Sequence, residues 1–127
     1  MQTKPKLRED EEALARLEKL EREAWVEKDE LKKHYFGVSE TLKHYIERRF
    51  SFKAAEQTTR EMLVNLSSTG VSDESVRELF QLFEALDRVK FTDYRPERGS
   101  LEPKVMLEGA RDWIKKTRRK VETPHAP

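Results

Sequence analysis

Apolar residues recur along this 127-residue chain at spacings of three and four positions, the pattern typical of amphipathic helices. The strongest stripe lies in the segment 76–89, where the apolar residues are Val, Leu and Phe. Five helices are predicted, at about 9–27, 30–49, 59–66 and 73–90, with a last one after Ser100. The predicted fold is therefore all-α: a single compact domain of about five helices in an orthogonal or irregular bundle, with an acidic N-terminal helix.

The stripes also indicate the domain boundaries and the residues that should face the core. Residues 9–118 are predicted to form the helical domain, because all the periodic segments lie within them. Residues 1–8 and the basic segment 119–127 have no apolar period and are predicted to be disordered. Phe80 and Val105 belong to the stripes of the fourth and fifth helices, so both are expected to be buried.

Local signals indicate several helix ends. Thr58 and Glu61 have the S/T-x-x-E spacing of a capping box, which predicts that the third helix begins there. Asp29 and Ser100 are predicted N-caps of the second and last helices. Gly37 lies inside the second helix, where glycine costs about 1 kcal/mol relative to alanine. Its presence indicates either the close approach of a neighbouring helix or a kink.

The first helix is the least hydrophobic and carries most of the acidic charge. Residues 7–30 contain five basic and ten acidic side chains, whereas residues 111–127 contain six basic and two acidic ones. The two ends of the chain are therefore expected either to pair or simply to remain solvated. The first helix is predicted to project as a stalk or to lie across the other helices. A further alternative is self-association through its stripe, which contains Ala13, Leu17, Leu20 and Ala24.

The sequence contains little that points to catalysis or metal binding. There is no cysteine, and the four glycines do not form a phosphate-binding loop. The serine and threonine clusters fall at predicted helix ends, where capping accounts for them. His34 and His44 lack the spacing of a metal-binding motif. We therefore expect a protein that is not an enzyme and has no cofactor or metal. No apolar run is long enough to span a membrane, so we also expect a soluble, cytoplasmic chain.

Nucleic-acid binding is the alternative function. The segment 115–120 is strongly basic and would contact phosphates without sequence preference. Helix-dipole complementation and solubility also explain the same residues and are the favoured explanation. The residues that would bind nucleic acid are Lys115, Lys116, Arg118, Arg119 and Lys120.

Three stretches of the sequence together resemble a known bacterial family. The residues that carry the resemblance are Tyr35, Ser39, Leu42, Tyr45, Ile46, Glu47, Arg49 and Phe50, then Ala54, Glu56, Thr58, Thr59 and Glu61, and finally Lys90, Phe91, Tyr94 and Pro96. Over about residues 12–118 the chain resembles the cytoplasmic C-terminal domain of BatD-type membrane proteins, which belong to aerotolerance operons, and related domains of unknown function. Val38 and Lys43 depart from the family pattern, which usually has leucine and arginine there.

The resemblance implies a location and a class of partner. In such proteins a membrane span precedes the first helix, so the domain would lie at the cytoplasmic face of the bacterial inner membrane. Neighbouring genes encode MoxR-type AAA+ ATPases and von Willebrand A-domain proteins, which implies protein partners in stress or oxygen tolerance. The family brings no catalytic residues. If its two aromatic motifs meet in space, the candidate protein-binding residues are Tyr45, Arg49, Phe91, Tyr94 and Arg95.

Overall fold

A computed structural model describes residues 7–120 of the chain. Its helices are α1 (Glu9–Glu23), α2 (Leu31–Phe50), α3 (Thr59–Ser67), α4 (Asp73–Phe91) and α5 (Glu102–Thr117), and a single 3₁₀ turn, Ala54–Glu56, precedes α3. No strand occurs within residues 7–120. The predicted all-α domain of five helices is confirmed.

Helix α2 lies at the centre of the bundle and packs against α1, α4 and α5. It runs parallel to α5, since His34 contacts Pro103 and Tyr45 contacts Ile114 further along both helices. Helices α1 and α4 run in the opposite direction, and α3 packs on the outside of α4. This position of α3 makes the bundle irregular. The core contains Leu17 of α1, Tyr35, Leu42 and Ile46 of α2, Met62 of α3, Phe83 of α4, and Trp113 and Ile114 of α5.

Gly37 marks the close approach of α1 and α2. A Cβ atom built on Gly37 would lie 2.6 Å from Cδ1 of Leu20, well inside van der Waals contact. Leu20 is buried in the core, so the absence of a side chain at position 37 lets the two helices approach. Of the two explanations considered for this glycine, close approach is the one observed.

The helix ends agree with the sequence in one case and differ in others. The capping box before α3 is confirmed: the Glu61 amide donates to Thr58 Oγ1 at 3.1 Å, and the Thr58 amide donates to Glu61 Oε1 at 2.9 Å. The predicted N-cap Asp29 is wrong, because Asp29 has φ 61° and Glu30 is the N-cap of α2. Ser100 precedes the N-cap of α5 by one residue, although its Oγ still accepts from the Glu102 amide at 3.1 Å.

Helix α1 is shorter than predicted and is not a stalk. It ends at Glu23, because Ala24 adopts a left-handed conformation with φ 53°. Its apolar stripe is buried against α2 and α5, as the zero exposure of Leu17 shows. This burial removes the stripe as a surface for self-association. It also means that α1 lies across the other helices, the second of the two arrangements predicted.

The edges of the domain also differ from the predicted boundaries. Arg8, predicted to be disordered, is the N-cap of α1 and pairs with Asp10 at 3.0 Å. Arg119, assigned to a disordered tail, forms an ion pair with Glu9 and donates to the Arg49 carbonyl at 3.3 Å. Of the two alternatives for the acidic and basic ends, pairing is therefore the one observed. Residues 1–6 and 121–127 lie outside the described part of the chain, and the prediction of disorder there stays a prediction.

Two residues expected in the core are on the surface. Phe80 of α4 is 48% exposed and Val105 of α5 is 54% exposed. The apolar stripes of α4 and α5 are wider than the area that neighbouring helices cover. Each residue lies at the uncovered edge of its stripe.

Candidate functional site

Lys90 is the most unusual buried side chain in the described residues. It lies in the last turn of α4 and follows the core residues Leu79, Phe83 and Leu86 at spacings of four, three and four. This phase directs Lys90 inward, and only 6% of it is exposed. Its Nζ donates to Oγ of Ser39 on α2 at 2.9 Å, and Ser39 has no exposed surface.

Two phenyl rings lie beside the Lys90 ammonium. Nζ is 4.9 Å from the ring centroid of Phe36 and 5.1 Å from that of Phe91. Phe36 is 41% exposed and Phe91, the last residue of α4, is 71% exposed. We refer to Phe36, Ser39, Lys90 and Phe91 as the Lys90 site. It is a cation set between two aromatic rings that reach the surface.

Within residues 7–120 the charge of Lys90 has no close counter-ion. No carboxylate in residues 7–120 forms an ion pair with it. Burial lowers the pKa of Lys90 below its usual value, and the charge of Lys43 lowers it further. Asp87 and Glu40 oppose these effects from a greater distance. Cation–π contacts, worth about 0.5–2 kcal/mol, offset only part of the cost of burying the charge.

A hydroxyl beside an amine also raises the question of a nucleophile and its base, because Ser–Lys pairs catalyse acyl transfer in other folds. Ser39 lies in the middle of α2 and is fully buried, so a substrate carbonyl has no path to its Oγ. The backbone amides around it belong to the regular helix and are not free to stabilise an oxyanion. This geometry is suited to binding and not to nucleophilic attack.

A polar network lies next to the Lys90 site, where α4 ends and α5 begins. Tyr94 donates its hydroxyl proton to Glu102 Oε2 at 2.9 Å, and the Arg88 guanidinium stacks 3.7 Å from the Tyr94 ring centroid. The nearby Tyr35 hydroxyl is buried and has no hydrogen-bond partner in the described chain. Burial and the charge of Glu102 raise the pKa of Tyr35. Arg95 donates to the carbonyls of Val89, Thr92 and Tyr94, which closes the end of α4.

The structure separates the five predicted protein-binding residues into two groups. Phe91, Tyr94 and Arg95 lie together at the end of α4, beside the Lys90 site. Tyr45 and Arg49 lie near the C-terminal end of α5, at the opposite end of the bundle. The two aromatic motifs do meet, but on the α2 side the contact is made by Phe36 and Ser39 and not by the predicted Tyr45 and Arg49.

Tyr45, one of the five predicted protein-binding residues, is buried between α2 and α5. Tyr45 has no exposed surface; its hydroxyl lies 3.0 Å from Thr117 Oγ1, and its ring packs edge-on against Trp113. Arg49 is half-buried and donates to the Thr117 carbonyl at 2.9 Å, so its guanidinium caps the end of α5. Both side chains hold α2 against α5.

Sequence reasoning missed Phe36, Ser39 and Lys90 as site residues. A signal was present for Lys90, because it continues the core spacing of α4 and is the only charged residue that does so there. A lysine in a core position indicates either a buried counter-ion or a functional cation. Ser39 had no such signal, because only the packing of α4 on α2 brings it to the ammonium.

The five residues proposed for nucleic-acid binding are all exposed. Two of them are already paired with carboxylates, Lys116 with Glu78 and Arg119 with Glu9. The remaining three form no ion pair within residues 7–120: Lys115, Arg118 and Lys120. The basic surface available to a phosphate backbone is therefore smaller than the sequence suggested.

A cleft of about 970 Å³ lies between the α1–α2 connection and the connection before α5. Its walls carry both acids and bases, and Arg98 pairs with Asp29 at 3.5 Å. His34 lies at its edge, with Nε2 donating to the Pro103 carbonyl at 2.7 Å. No group of three or more metal-ligating side chains occurs among the residues that the structure describes. The mixed charge of the cleft favours no particular ligand.

The chain matches no protein-family model, no curated protein and no solved structure. None of the helices within residues 7–120 is both long enough and apolar enough to cross a membrane.

Proposed function

We propose that this protein is a non-enzymatic interaction domain that binds a protein partner through the Lys90 site. The observation that carries the proposal is a buried ammonium that has no counter-ion in the described part of the chain and lies beside two exposed phenyl rings. Aromatic residues around a desolvated charge are typical of the energetic centres of protein interfaces. In the chain, 40% of the residues are charged, so the exposure of two neighbouring aromatic rings on its surface supports a role for them in binding.

The chemistry of the site favours an acidic partner segment. A carboxylate placed between Phe36 and Phe91 would supply the counter-ion that Lys90 lacks, and Lys43 adds a second positive charge nearby. Desolvated charge pairs at interfaces are strong when both members are hydrogen-bonded. Ser39 already holds the ammonium in position, so little side-chain entropy would be lost on binding.

The family resemblance supplies the candidate partners and the location. A domain of the BatD type would bind a MoxR-type ATPase or a von Willebrand A-domain protein at the cytoplasmic face of the inner membrane, in stress or oxygen tolerance. Three of the residues that carry the resemblance, Ser39, Lys90 and Phe91, belong to the Lys90 site. That overlap supports the Lys90 site as the surface that the partner contacts.

The test is a binding titration with the immobilised chain against a MoxR-type ATPase and a von Willebrand A-domain protein from the same genome. Lys90→Met should abolish binding while the domain stays folded, because a buried, unpaired charge is replaced by an apolar side chain of similar size. Phe91→Ala should weaken binding at least ten-fold. Val105→Ala, which shortens an exposed apolar residue on α5, is the matched control and should bind normally.

Two outcomes would contradict the proposal in different ways. If neither candidate protein binds the wild-type chain, the partner implied by the resemblance is wrong. If a partner binds but Lys90→Met binds it as tightly as the wild type, the Lys90 site is not the contact surface.

Nucleic-acid binding remains the second proposal, supported by the exposed Lys115, Arg118 and Lys120 at the end of α5. A labelled duplex titrated at several salt concentrations tests it. Steeply salt-dependent binding that is lost when these three residues are replaced by glutamine would favour this function. The absence of binding at low salt would exclude it.

A further inference from the structure

A second exposed surface lies on the opposite side of α4 from the core, where α3 packs on it. The two helices form a shallow groove of about 640 Å³. The apolar side chains that line it are Leu63, Val64 and Phe80, of which Val64 is 65% exposed and Phe80 is 48% exposed. Helix α3 has only nine residues, so it cannot cover the whole outer face of α4.

The rim of this groove carries one basic and one acidic side chain. Arg60 lies on the α3 side and Glu84 on the α4 side. Neither side chain forms an ion pair with any residue in the described range 7–120. The groove therefore presents one positive and one negative edge on either side of an apolar centre.

The heights of these residues along the helices are closely matched. Helices α3 and α4 are antiparallel, with Thr59 Oγ1 donating to Asp87 Oδ2 at 2.8 Å. Positions along the helix axis can be counted from this contact at about 1.5 Å per residue. On that scale Arg60 and Glu84 lie about 3 Å apart along the axis, and Val64 and Phe80 also lie about 3 Å apart. If α4 of a second copy lies over α3 at the same position along the axis, Arg60 can therefore reach Glu84 and Val64 can reach Phe80.

We propose that two copies of this chain form a symmetric dimer through the α3–α4 groove. A two-fold axis along the groove places α3 of one copy over α4 of the second copy at the same height. Arg60 then faces Glu84 of the second copy, Val64 faces Phe80 of the second copy, and both contacts occur twice. The groove is self-complementary in charge and in apolar surface, which a second copy satisfies. This inference does not depend on the proposed function of the Lys90 site.

Sedimentation equilibrium of the full chain, from micromolar to millimolar concentration, tests the dimer. The expected result is a concentration-dependent mass that approaches twice the 15.1 kDa of one chain. Val64→Glu should give a monomer, and Val105→Glu, at another exposed apolar position that lies outside the groove, should dimerise like the wild type. Circular dichroism establishes that both variants are folded. A wild-type chain that stays monomeric at millimolar concentration overturns the proposal.

A charge exchange tests the orientation. Arg60→Glu and Glu84→Arg should each raise the dimer dissociation constant on the order of ten-fold or more, because like charges then face each other twice. The double variant restores opposite charges and should recover most of the lost affinity. If the double variant associates no better than the single ones, the two residues do not meet and the proposed axis is wrong.

Discussion

At the scale of single residues, the two helical glycines Gly37 and Gly109 show how the environment decides the effect of one methyl group. A Cβ at Gly37 would lie 2.6 Å from Leu20 Cδ1, and one at Gly109 would lie 2.7 Å from Leu82 Cδ2. Leu20 is buried in the core, whereas Leu82 is half-buried and has room to turn towards solvent. The same clash is therefore harder to relieve at Gly37.

Gly37→Ala should lower the free energy of unfolding by up to about 2 kcal/mol, because overpacking costs about 1–3 kcal/mol and the gain in helix propensity offsets about 1 kcal/mol of that cost. Gly109→Ala is the matched control and should leave stability unchanged or raise it by up to about 1 kcal/mol. Urea unfolding followed by circular dichroism measures both. A Gly37→Ala variant as stable as Gly109→Ala would show that α1 and α2 separate at little cost.

Burial of His34 couples its protonation to folding in mild acid. Burial lowers its pKa below the usual 6.5, although the bond to the Pro103 carbonyl and the charge of Glu27 partly oppose this effect. Between the lowered value and 6.5 the unfolded chain binds more protons than the folded chain. The contribution of His34 to stability is therefore complete above pH 6.5 and is lost as the pH falls towards its folded pKa.

We expect the free energy of unfolding of the wild type to fall as the pH decreases below 6.5, and we expect His34→Gln to have a flatter profile there. Urea titrations at a series of pH values measure the two slopes. Parallel profiles for the two proteins would show that protonation of His34 is not coupled to folding.

At the scale of elements, α3 depends on its ends more than the other helices do. It is nine residues long, too short to be stable alone, and packs mainly on α4. Both bonds of the Thr58–Glu61 capping box are formed, and hydrogen bonds with Thr58 lower the pKa of Glu61. The start of α3 is therefore determined by a local capping box that can be recognised in the sequence.

Thr58→Ala should lower the free energy of unfolding by about 0.5–2 kcal/mol. Amide exchange should become faster first within α3, because the start of this helix loses its cap. Ser68→Ala, at the other end of α3, removes only a bond to the Asn65 carbonyl and is the control. Uniformly faster exchange in all five helices would mean that α3 does not open separately.

At the scale of the whole molecule, the position of α1 decides whether the N-terminal region is a stalk or a structural part of the domain. Leu17 has no exposed surface and belongs to the core shared with α2 and α5. Ion pairs at both ends of α1 add to this contact: Glu9 with Arg119, and Glu21 with Arg111 at 3.4 Å. Helix α1 is therefore integral to the bundle.

Leu17→Ala should lower the free energy of unfolding by about 2–5 kcal/mol, as expected for a cavity in a shared core. Lys19→Ala, an exposed position on the same helix, should change it by less than about 0.5 kcal/mol. Thermal or urea unfolding compares the two variants. A Leu17→Ala variant as stable as the wild type would contradict the packing of α1 in the core and would favour an α1 that projects from the bundle.

The sequence by itself determined the helices and the cap of α3, because these depend on contacts between residues a few positions apart. It did not determine which parts of each apolar stripe are covered, since coverage depends on the helix that lies opposite. Phe80 and Val105 follow the core period yet face solvent, whereas the charged Lys90 is buried. Only the packing of α4 on α2 brings Lys90 to Phe36 and Ser39, which are more than fifty positions away. Helices form from hydrogen bonds between residues close in the sequence, whereas a site is formed by residues that are far apart in the sequence and are buried together. Here only the tertiary structure decided which residues belong to the Lys90 site.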